Sequence, residues 1–245
     1  MALNLTIDQG NSSTKIALWN AEGELVETST RMHFVAKDAR RLTESHDIDN
    51  AIYCTVTQRP PTMLKSLAQN VRNVVEFTAE TPIPLSIEYA SPQTLGLDRL
   101  AAAVGAYMLI KETDRPILVV DLGTAITYDI VRQDARYCGG NIAPGIYMRL
   151  KALNHYTARL PLVDPRSSEP PLWGDDTKSA LLAGAIRGVV AEVEYYRHKS
   201  GADTIVVMTG RDSEIVAPLL SFKPVIEPNL VSKGLLEIIR YNTRN

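Results

Sequence analysis

Two short segments of this sequence place an aspartate two residues before a glycine. Asp8 and Gly10 form the first pair, and Asp121 and Gly123 form the second. A bound polyphosphate needs backbone N–H groups that approach closely, small side chains that leave room, and carboxylates that position Mg²⁺. Further polar or charged groups beside the pairs are Asn11, Ser12, Ser13, Lys15 and Thr124. The two segments therefore predict phosphate binding.

Each pair is flanked by two apolar segments with the character of short strands. These segments are 3–8, 14–19, 117–121 and 126–131. At an offset of 113 residues the two hairpins align residue by residue, as Val120 does with Ile7 and Thr127 with Thr14. One such triplet ends strands in many unrelated proteins, so the repetition carries the argument. The pattern predicts a duplicated strand-turn-strand unit.

Longer segments with helical periodicity alternate with the strands. Helices are predicted over 97–110, 179–196 and 234–241, and a further buried strand over 204–208. This alternation indicates an α/β fold. We place a boundary in the polar segment 111–116, which gives an N-terminal lobe 1–113 and a C-terminal lobe 114–245. The expected architecture is two similar lobes, each a mixed sheet flanked by helices, with a cleft between them.

The composition excludes several classes of function. Hydrophobic residues make up 45% of the chain and charged residues 22%, as in ordinary globular proteins. A formal net charge of -2 gives no field that would attract nucleic acid or an anionic membrane. Two cysteines, Cys54 and Cys138, are too few for a disulfide framework or a Cys-rich zinc site. Since residues 1–5 do not begin a signal peptide and no apolar run reaches roughly 18 residues, a cytoplasmic protein is expected.

Two common nucleotide-binding patterns do not occur in the sequence. There is no Gly-x4-Gly-Lys-Ser/Thr run, and no Gly-x-Gly-x-x-Gly follows a predicted strand. A P-loop or dinucleotide-binding fold is therefore disfavoured, which leaves an ATPase built on two hairpins. In that design each lobe offers one phosphate-binding turn, and closure of the cleft brings both turns onto one nucleotide.

Four motifs follow one another along the chain. The first comprises Asp8, Gln9, Gly10, Asn11, Ser12, Ser13, Thr14 and Lys15, and the second comprises Tyr89, Gly96, Leu97, Asp98 and Arg99. The third is the hairpin 121–125, and the fourth is the Gly-Gly-x-Ile-x-Pro-Gly segment 139–145, with Thr177 beyond it. Together they resemble the type III pantothenate kinases, within the actin-like, sugar-kinase-like ATPases with ribonuclease-H-like lobes. The sequence departs from that family at Ser12, usually threonine, and at Arg211, usually glycine.

The resemblance implies a reaction, cofactors and partners. ATP would phosphorylate pantothenate to 4'-phosphopantothenate, the first step of coenzyme A biosynthesis, with residues 8–15 and Thr124 binding ATP. The substrate would be bound by Tyr89, Gly96, Leu97, Asp98, Arg99 and Thr177. By the same resemblance Asp121 holds a monovalent cation, K⁺ or NH₄⁺, whereas Asp8 is our candidate for the Mg²⁺ that accompanies ATP. A homodimer is also implied, in which one subunit completes the substrate site of the other.

Each of these roles has a simpler alternative. Asp98 is the proposed catalytic base, but it also stands where a helix begins, and the segment alone favours an N-cap. Arg99 would pair with the pantothenate carboxylate, and without the motif it would be assigned to the surface. A lone tyrosine such as Tyr89 more often serves ordinary packing. For Asp121 the alternative is a carboxylate in a strand-end turn.

Two other functions remain open. The first is a kinase of another small alcohol such as a sugar, since paired hairpins serve many acceptors, although the motif 96–99 argues against it. The second is a nucleotide-binding regulator without catalytic activity, since relatives of the family have been described as accessory transcription factors. The balanced charge and the lack of a DNA-reading helix disfavour the regulator.

Overall fold

The chain folds into two compact units in the computed structural model. The structure describes residues 3–10, 13–56, 61–110, 113–132 and 134–243. The first unit comprises Met1–Lys111 together with Asn229–Asn245, and the second comprises Glu112–Pro228.

Strands and helices alternate along both units. The strands are β1 (Leu3–Gln9), β2 (Thr14–Trp19), β3 (Leu25–Arg31), β4 (Ile48–Thr55), β5 (Asn73–Glu76), β6 (Ser86–Ile87), β7 (Ile117–Leu122), β8 (Ala125–Arg132), β9 (Arg136–Pro144), β10 (Ile205–Thr209) and β11 (Val225–Ile226). The helices are α1 (Ala36–Ser45), α2 (Pro61–Leu67), α3 (Leu97–Leu109), α4 (Ile146–Tyr156), α5 (Thr177–Ser200), α6 (Ser213–Val216) and α7 (Leu230–Thr243). The predicted α/β fold class is confirmed.

The first unit contains a mixed sheet with the strand order β3-β2-β1-β4-β5. β1, β2 and β3 form an antiparallel meander, and β4 and β5 continue in parallel on the other side of β1. Leu5 and Ile7 of β1 are fully buried in a cluster with Ala39 of α1 and Met63 of α2. This core fixes the end of β1, where Asp8 follows directly.

The strands of the second unit repeat this arrangement in the order β11-β10-β7-β8-β9. β7, β8 and β9 form an antiparallel meander, and β10 and β11 run parallel beside β7. Val120 and Leu122 of β7 are buried against Ile186 and Val189 of α5. The predicted duplication is therefore confirmed at the level of strand order and direction.

The two hairpins differ by one residue in their turns. In the first, Gln9 pairs with Thr14, so four residues of the sequence lie between the paired positions; in the second, Leu122 pairs with Ile126, and three lie between them. The offset of 113 residues therefore holds for the first strand of each hairpin and slips by one residue in the second strand. The expected equivalence of Thr127 with Thr14 is wrong for this reason, since Thr127 lies opposite the aspartate.

The last helix corrects the expected division into lobes. Residues 229–245 belong to the first unit, whereas the expected C-terminal lobe was 114–245. Gly234 of α7 lies so close to α3 that a Cβ atom would overlap with the Ala101 carbonyl. A Cβ atom on Gly105 of α3 would lie 2.4 Å from the Leu230 carbonyl oxygen, which is also too close. A glycine on each helix thus lets the two backbones touch, a contact that sequence periodicity does not reveal.

Two observations bear on the environment of the protein. Neither Cys54, which is buried, nor Cys138, which is partly exposed, takes part in a disulfide. Among the helices within the described ranges, none combines the length and the apolar character that crossing a lipid bilayer requires.

Candidate active site

The first turn carries Asp8 near the end of a buried strand. The N–H of Gly10 donates to the Ser13 carbonyl at 3.0 Å and closes the turn. Asp8 lies directly opposite Lys15 in the antiparallel pair, so the two charged side chains share one face of the hairpin. Both are half-buried. The predicted carboxylate and the predicted phosphate-binding cation are therefore neighbours.

The other residues of this motif that are predicted to bind ATP have different environments. Thr14 is only 2% exposed, so its side chain supports the turn from within. Gln9 accepts hydrogen bonds from β4 and the residue after it, from the Tyr53 hydroxyl and from the N–H of Val56. These contacts tie the turn to the neighbouring strand. The predicted residues Asn11 and Ser12 lie outside the described residues.

The second turn has the same outline with different neighbours. Asp121 lies opposite Thr127, and the Gly123 N–H donates to the Ala125 carbonyl at 3.2 Å. A Cβ atom on Gly123 would lie 3.6 Å from the Asp121 Oδ1 atom, so this carboxylate lies beside the turn. Thr124 is exposed at the tip. Neither Gly10 nor Gly123 has a positive φ, so the benefit of glycine at these positions is the room it leaves.

Two glycines from other strands support the second turn. The N–H of Gly145, directly after β9, donates to the Thr124 carbonyl at 3.0 Å, and a Cβ atom there would overlap with two carbonyl oxygens of the turn. Gly210, directly after β10, has a φ of +84°, and its Cβ position lies 2.5 Å from the Leu122 backbone. Any larger residue at either position would displace the turn.

The unusual Arg211 causes no backbone strain. A glycine was expected at this position from the resemblance, but Arg211 is not among the residues with a positive φ. Its carbonyl accepts a hydrogen bond from the Arg166 guanidinium at 3.1 Å, and Arg166 also pairs with Asp212 at 3.0 Å. The substitution therefore fits the fold, and contacts to an adenine base near it stay untested.

The predicted base Asp98 is the second residue of α3. The N-cap is Gly96, so the alternative in which Asp98 caps the helix is wrong. Asp98 Oδ1 accepts a hydrogen bond from the Arg99 N–H at 2.9 Å, whereas Oδ2 has no hydrogen-bond partner in the described part of the chain. A Cβ atom on Gly96 would lie 2.6 Å from Oδ1, so glycine leaves room for this carboxylate. Arg99 is only 6% exposed, which excludes the surface alternative.

The thiol of Cys54 relates the first turn to Asp98. Cys54 lies beside Asp8 in the parallel pairing of β4 with β1. Burial raises the pKa of this thiol well above its ordinary value, and the negative charges of Asp8 and Asp98 raise it further. Both carboxylates are thus near enough to Cys54 for their charges to act on its buried thiol.

The remaining predicted substrate residues lie on three segments. Tyr89 follows β6 and Leu97 begins α3, and both are half-buried. Thr177 begins α5 in the second unit and is exposed. The preceding residue, Asp176, caps this helix by accepting the Ser179 N–H at 2.8 Å, and hydrogen bonds from Ser179 lower the pKa of Asp176. Substrate contacts by these residues stay predictions.

The carboxylates of Asp8 and Asp121 are the candidate ligands for cations at the two turns. Within the described ranges, no group of three or more His, Cys, Asp or Glu side chains is arranged to hold a metal ion. Mg²⁺ that accompanies a nucleotide typically takes one or two protein carboxylates and completes its shell with phosphate oxygens and water. Asp8 fits that requirement, and Asp121 beside the carbonyls of its turn fits a monovalent cation.

Sequence reasoning missed most of the residues that support the two turns. Gly145 was recognised only as part of a motif, and Gly210 only as a neighbour of Arg211. The sequence indicated no role for Tyr53 of β4, and Cys54 was considered only as one of two cysteines. A glycine directly after a buried strand was the available signal for Gly210, whereas the register that places Cys54 beside Asp8 follows only from the sheet.

Comparison with known sequences agrees with the motifs. A family model described as type III pantothenate kinase matches residues 4–199. A type III pantothenate kinase of Porphyromonas gingivalis is 38% identical over 251 residues, which cover 99% of this chain and 100% of the relative. One of Phocaeicola vulgatus is 38% identical over 245 residues, with 99% and 100% covered.

Solved structures show the same fold. A conserved protein of Campylobacter jejuni, named for the Baf family of transcriptional activators, is 25% identical with a TM-score of 0.65, covering 97% of this chain and 98% of that one. The ROK hexokinase of Thermus thermophilus has 13% identity and a TM-score of 0.55, covering 99% and 100%. The likeness to the hexokinase shows the fold alone, that of the actin-like and sugar-kinase ATPases. The family match and the full-length relatives show that this chain belongs to the type III pantothenate kinase family.

Proposed function

We propose that this chain transfers the γ-phosphoryl group of ATP to the primary hydroxyl of pantothenate, which gives ADP and 4'-phosphopantothenate. The observation that carries the proposal is that Asp8 lies beside Cys54 in the sheet, and that the charges of both Asp8 and Asp98 act on the Cys54 thiol. A kinase needs a phosphate-binding turn and a group that orients the acceptor hydroxyl at one place. In the first unit we assign these two tasks to the turn of Asp8 and to the side chain of Asp98.

Asp98 is the residue we assign to the acceptor hydroxyl. Its Oδ1 is fixed by the Arg99 N–H, which leaves Oδ2 to accept a hydrogen bond from the alcohol. In a loose phosphoryl transition state the base orients the nucleophile and takes its proton as the new P–O bond forms. The bond from the γ-phosphorus to the bridging oxygen breaks at the same time, and ADP leaves with that electron pair.

The turns supply charge and backbone donors for ATP. Lys15 and the N–H groups of both turns bind phosphate oxygens, and Thr124 adds its hydroxyl. Asp8 holds the Mg²⁺, which neutralises charge on the phosphates when it is bound. Asp121 holds K⁺ or NH₄⁺ together with carbonyls of its turn. The support for this division is the environment of each carboxylate, with a lysine opposite Asp8 and a threonine opposite Asp121.

Pantothenate recognition is assigned to the second motif and Thr177. Arg99 pairs with the pantothenate carboxylate, and its burial favours such a pair because little water competes for it. Tyr89 packs against the branched part of the substrate and donates its hydroxyl. Gly96 and Leu97 shape the backbone beside Asp98, and Thr177 contributes a hydroxyl.

A second copy of the chain is the partner we propose. Helix α4 buries Ile146 and Leu150 but exposes large side chains elsewhere, with Tyr156 82% exposed. In the segment before α5, Trp173 is 84% exposed. Aromatic residues such as Tyr and Trp are enriched in the surfaces that proteins bury against one another. Sedimentation at micromolar concentration should show a dimer, and an active monomer would remove this part of the proposal.

We also propose a cytoplasmic location, where ATP is available.

The decisive experiment compares acceptors. ADP release is measured with pantothenate and with a panel of sugars, in the presence of Mg²⁺ and K⁺. We expect turnover with pantothenate and none above background with the sugars. Turnover of a sugar but not of pantothenate would overturn the assignment.

The same assay on Asp98→Asn separates a kinase from an inactive regulator. Loss of a general base costs about 10²- to 10⁴-fold in rate, so we expect kcat to fall by that amount while nucleotide binding stays within twofold of wild type. Asp203→Asn, at an exposed loop of the second unit, is the control and should leave kcat unchanged. Full activity in Asp98→Asn would show that the base is assigned wrongly.

A further inference from the structure

Arg149 of α4 is fixed at two points behind the second turn. Its Nε donates to the Pro144 carbonyl at 2.8 Å, and its Nη2 donates to both carboxylate oxygens of Glu192 on α5, at 2.8 and 2.7 Å. The Arg149 side chain is 19% exposed and that of Glu192 is 33% exposed, so water screens this pair only in part. A planar guanidinium that is bonded on two edges has little freedom to rotate.

Glu192 is itself held in place. The hydroxyl of Tyr128 donates to Glu192 Oε2 at 2.8 Å, and the Tyr128 ring packs on Tyr196 with the ring centroids 4.7 Å apart. Burial and the hydrogen bond to Glu192 keep the pKa of Tyr128 well above its usual value, so this hydroxyl stays a donor. The carboxylate that holds Arg149 is therefore set by the core of the second unit.

The bond to Pro144 matters because the sheet holds this residue weakly. Pro144 is the last residue of β9 and lies opposite Ala125, the first residue of β8. Proline has no N–H, so the pair lacks one of the hydrogen bonds that an antiparallel ladder can form there. Its carbonyl accepts from Arg149 instead. The position of this strand end thus depends on a side chain as well as on the ladder.

The end of β9 also fixes the position of Thr124 at the tip of the second turn. Gly145 follows Pro144 directly, and its N–H donates to the Thr124 carbonyl at 3.0 Å. Gly145 also packs so closely against the turn that no Cβ atom fits between them. A small shift of Pro144 would therefore be passed to Thr124 rather than absorbed.

We propose that Arg149 is a positioning residue for ATP: held by Glu192, it fixes Pro144 and Gly145 and thereby the backbone of the second turn that binds phosphate. The inference rests on the proposed function, since it assumes that this turn binds ATP. Arg149 itself touches no reacting atom in this scheme. It acts through the strand end that it holds.

The test is the pair Arg149→Met and Arg149→Lys, measured by steady-state kinetics and by calorimetric titration of a non-hydrolysable ATP analogue with Mg²⁺. Misplacement of a binding group by about 1 Å costs up to roughly 100-fold, so for Arg149→Met we expect the nucleotide Kd and the KM for ATP to rise about tenfold. The KM for pantothenate should stay within twofold. Arg149→Lys keeps a charge beside Glu192 but lacks the planar fork, so it should recover only part of the affinity.

Arg197→Met is the matched control. Arg197 on α5 also donates to a backbone carbonyl, that of Ala202 at 3.2 Å, and its guanidinium lies over the Phe222 ring, 4.3 Å from the ring centroid; neither contact involves the second turn. Its loss should leave the nucleotide Kd within twofold of wild type. An unchanged Kd in both Arg149 variants, or an equal rise in Arg197→Met, would overturn the inference. If the wild type binds nucleotide but does not phosphorylate pantothenate, the proposed function fails while the titrations still decide the role of Arg149.

Discussion

The two hairpin turns share a backbone plan but place their aspartates among different side chains. Asp8 has Lys15 opposite it and Cys54 beside it in the sheet, whereas Asp121 has Thr127 and Thr209 in the corresponding positions. A carboxylate near an ammonium group suits the charged phosphates and their Mg²⁺, and a carboxylate among hydroxyl and carbonyl oxygens suits a weakly hydrated monovalent cation. Duplication thus preserved the strand order, while the neighbouring side chains separated the two roles that we propose.

The turns also differ in how they are supported. The first turn is held at its base, where Tyr53 and Val56 donate to Gln9. The second turn is supported along its length by Gly145 and Gly210, both of which contact its backbone. Changes outside the turn should therefore disturb the second turn more than the first.

The largest effect is expected for Gly145→Ala. The added methyl group would overlap with two carbonyl oxygens of the second turn, which are backbone atoms that cannot rotate away. Overpacking of this kind costs about 1–3 kcal/mol, so we expect the free energy of unfolding to fall by that amount and ATP turnover to fall with it. Urea denaturation and the ATP kinetics measure the two effects.

Gly184→Ala provides the control for that experiment. Gly184 lies on α5 with no heavy atom within 4 Å of its Cβ position. Alanine in an open helix position stabilises by about 0.5–1 kcal/mol relative to glycine, so this variant should be as stable as the wild type or more so. If Gly145→Ala were equally stable, the second turn would not depend on the close approach of Gly145.

A smaller and more selective effect is expected from changing the two aspartates separately. Asp8→Asn removes a carboxylate from the proposed Mg²⁺ site, and kcat/KM for ATP should fall on the order of 100-fold. Asp121→Asn should raise the K⁺ concentration needed for half-maximal activation by about tenfold and change the Mg²⁺ dependence little. The measurement is a matrix of initial rates over both cations. Identical cation profiles for the two variants would contradict the division of roles.

The sequence predicted the elements of both turns more accurately than their register. Short apolar runs located β1, β2, β7 and β8 to within a residue, because a strand that is buried on both faces is nearly continuously apolar. An alignment at one constant offset could not show that the segment between the paired strands is one residue shorter in the second hairpin. Each such slip moves a side chain to the other face, which is why Thr127 and not the next residue lies opposite Asp121.

Long-range contacts explain what else the sequence left out. The proposed role of Asp98 came from its motif, but its relation to Asp8 depends on the packing of α3 near β4, which no local pattern encodes. The position of α7 depends on two glycines that let helices touch, and Arg149 acts through partners on two other elements. These features join residues far apart in the chain, so periodicity carries no signal for them.

The smallest effect on folding, and the most direct test of phosphate binding, is expected for Gly123→Ala. Its Cβ position lies 3.5 Å from the nearest protein atom, the Ala125 carbonyl oxygen, so the methyl group fits the free protein and the free energy of unfolding should change by less than about 0.5 kcal/mol. A phosphate bound against this turn would meet the methyl group, and the KM for ATP should rise about tenfold.

Gly10→Ala is the counterpart in the first turn, where the Cβ position lies 3.3 Å from the Ser13 carbonyl oxygen, so a slight loss of stability should accompany the loss of ATP affinity. A Gly123→Ala variant with wild-type stability and wild-type KM for ATP would show that no phosphate approaches the second turn, and the two turns would then share a backbone plan without sharing a ligand.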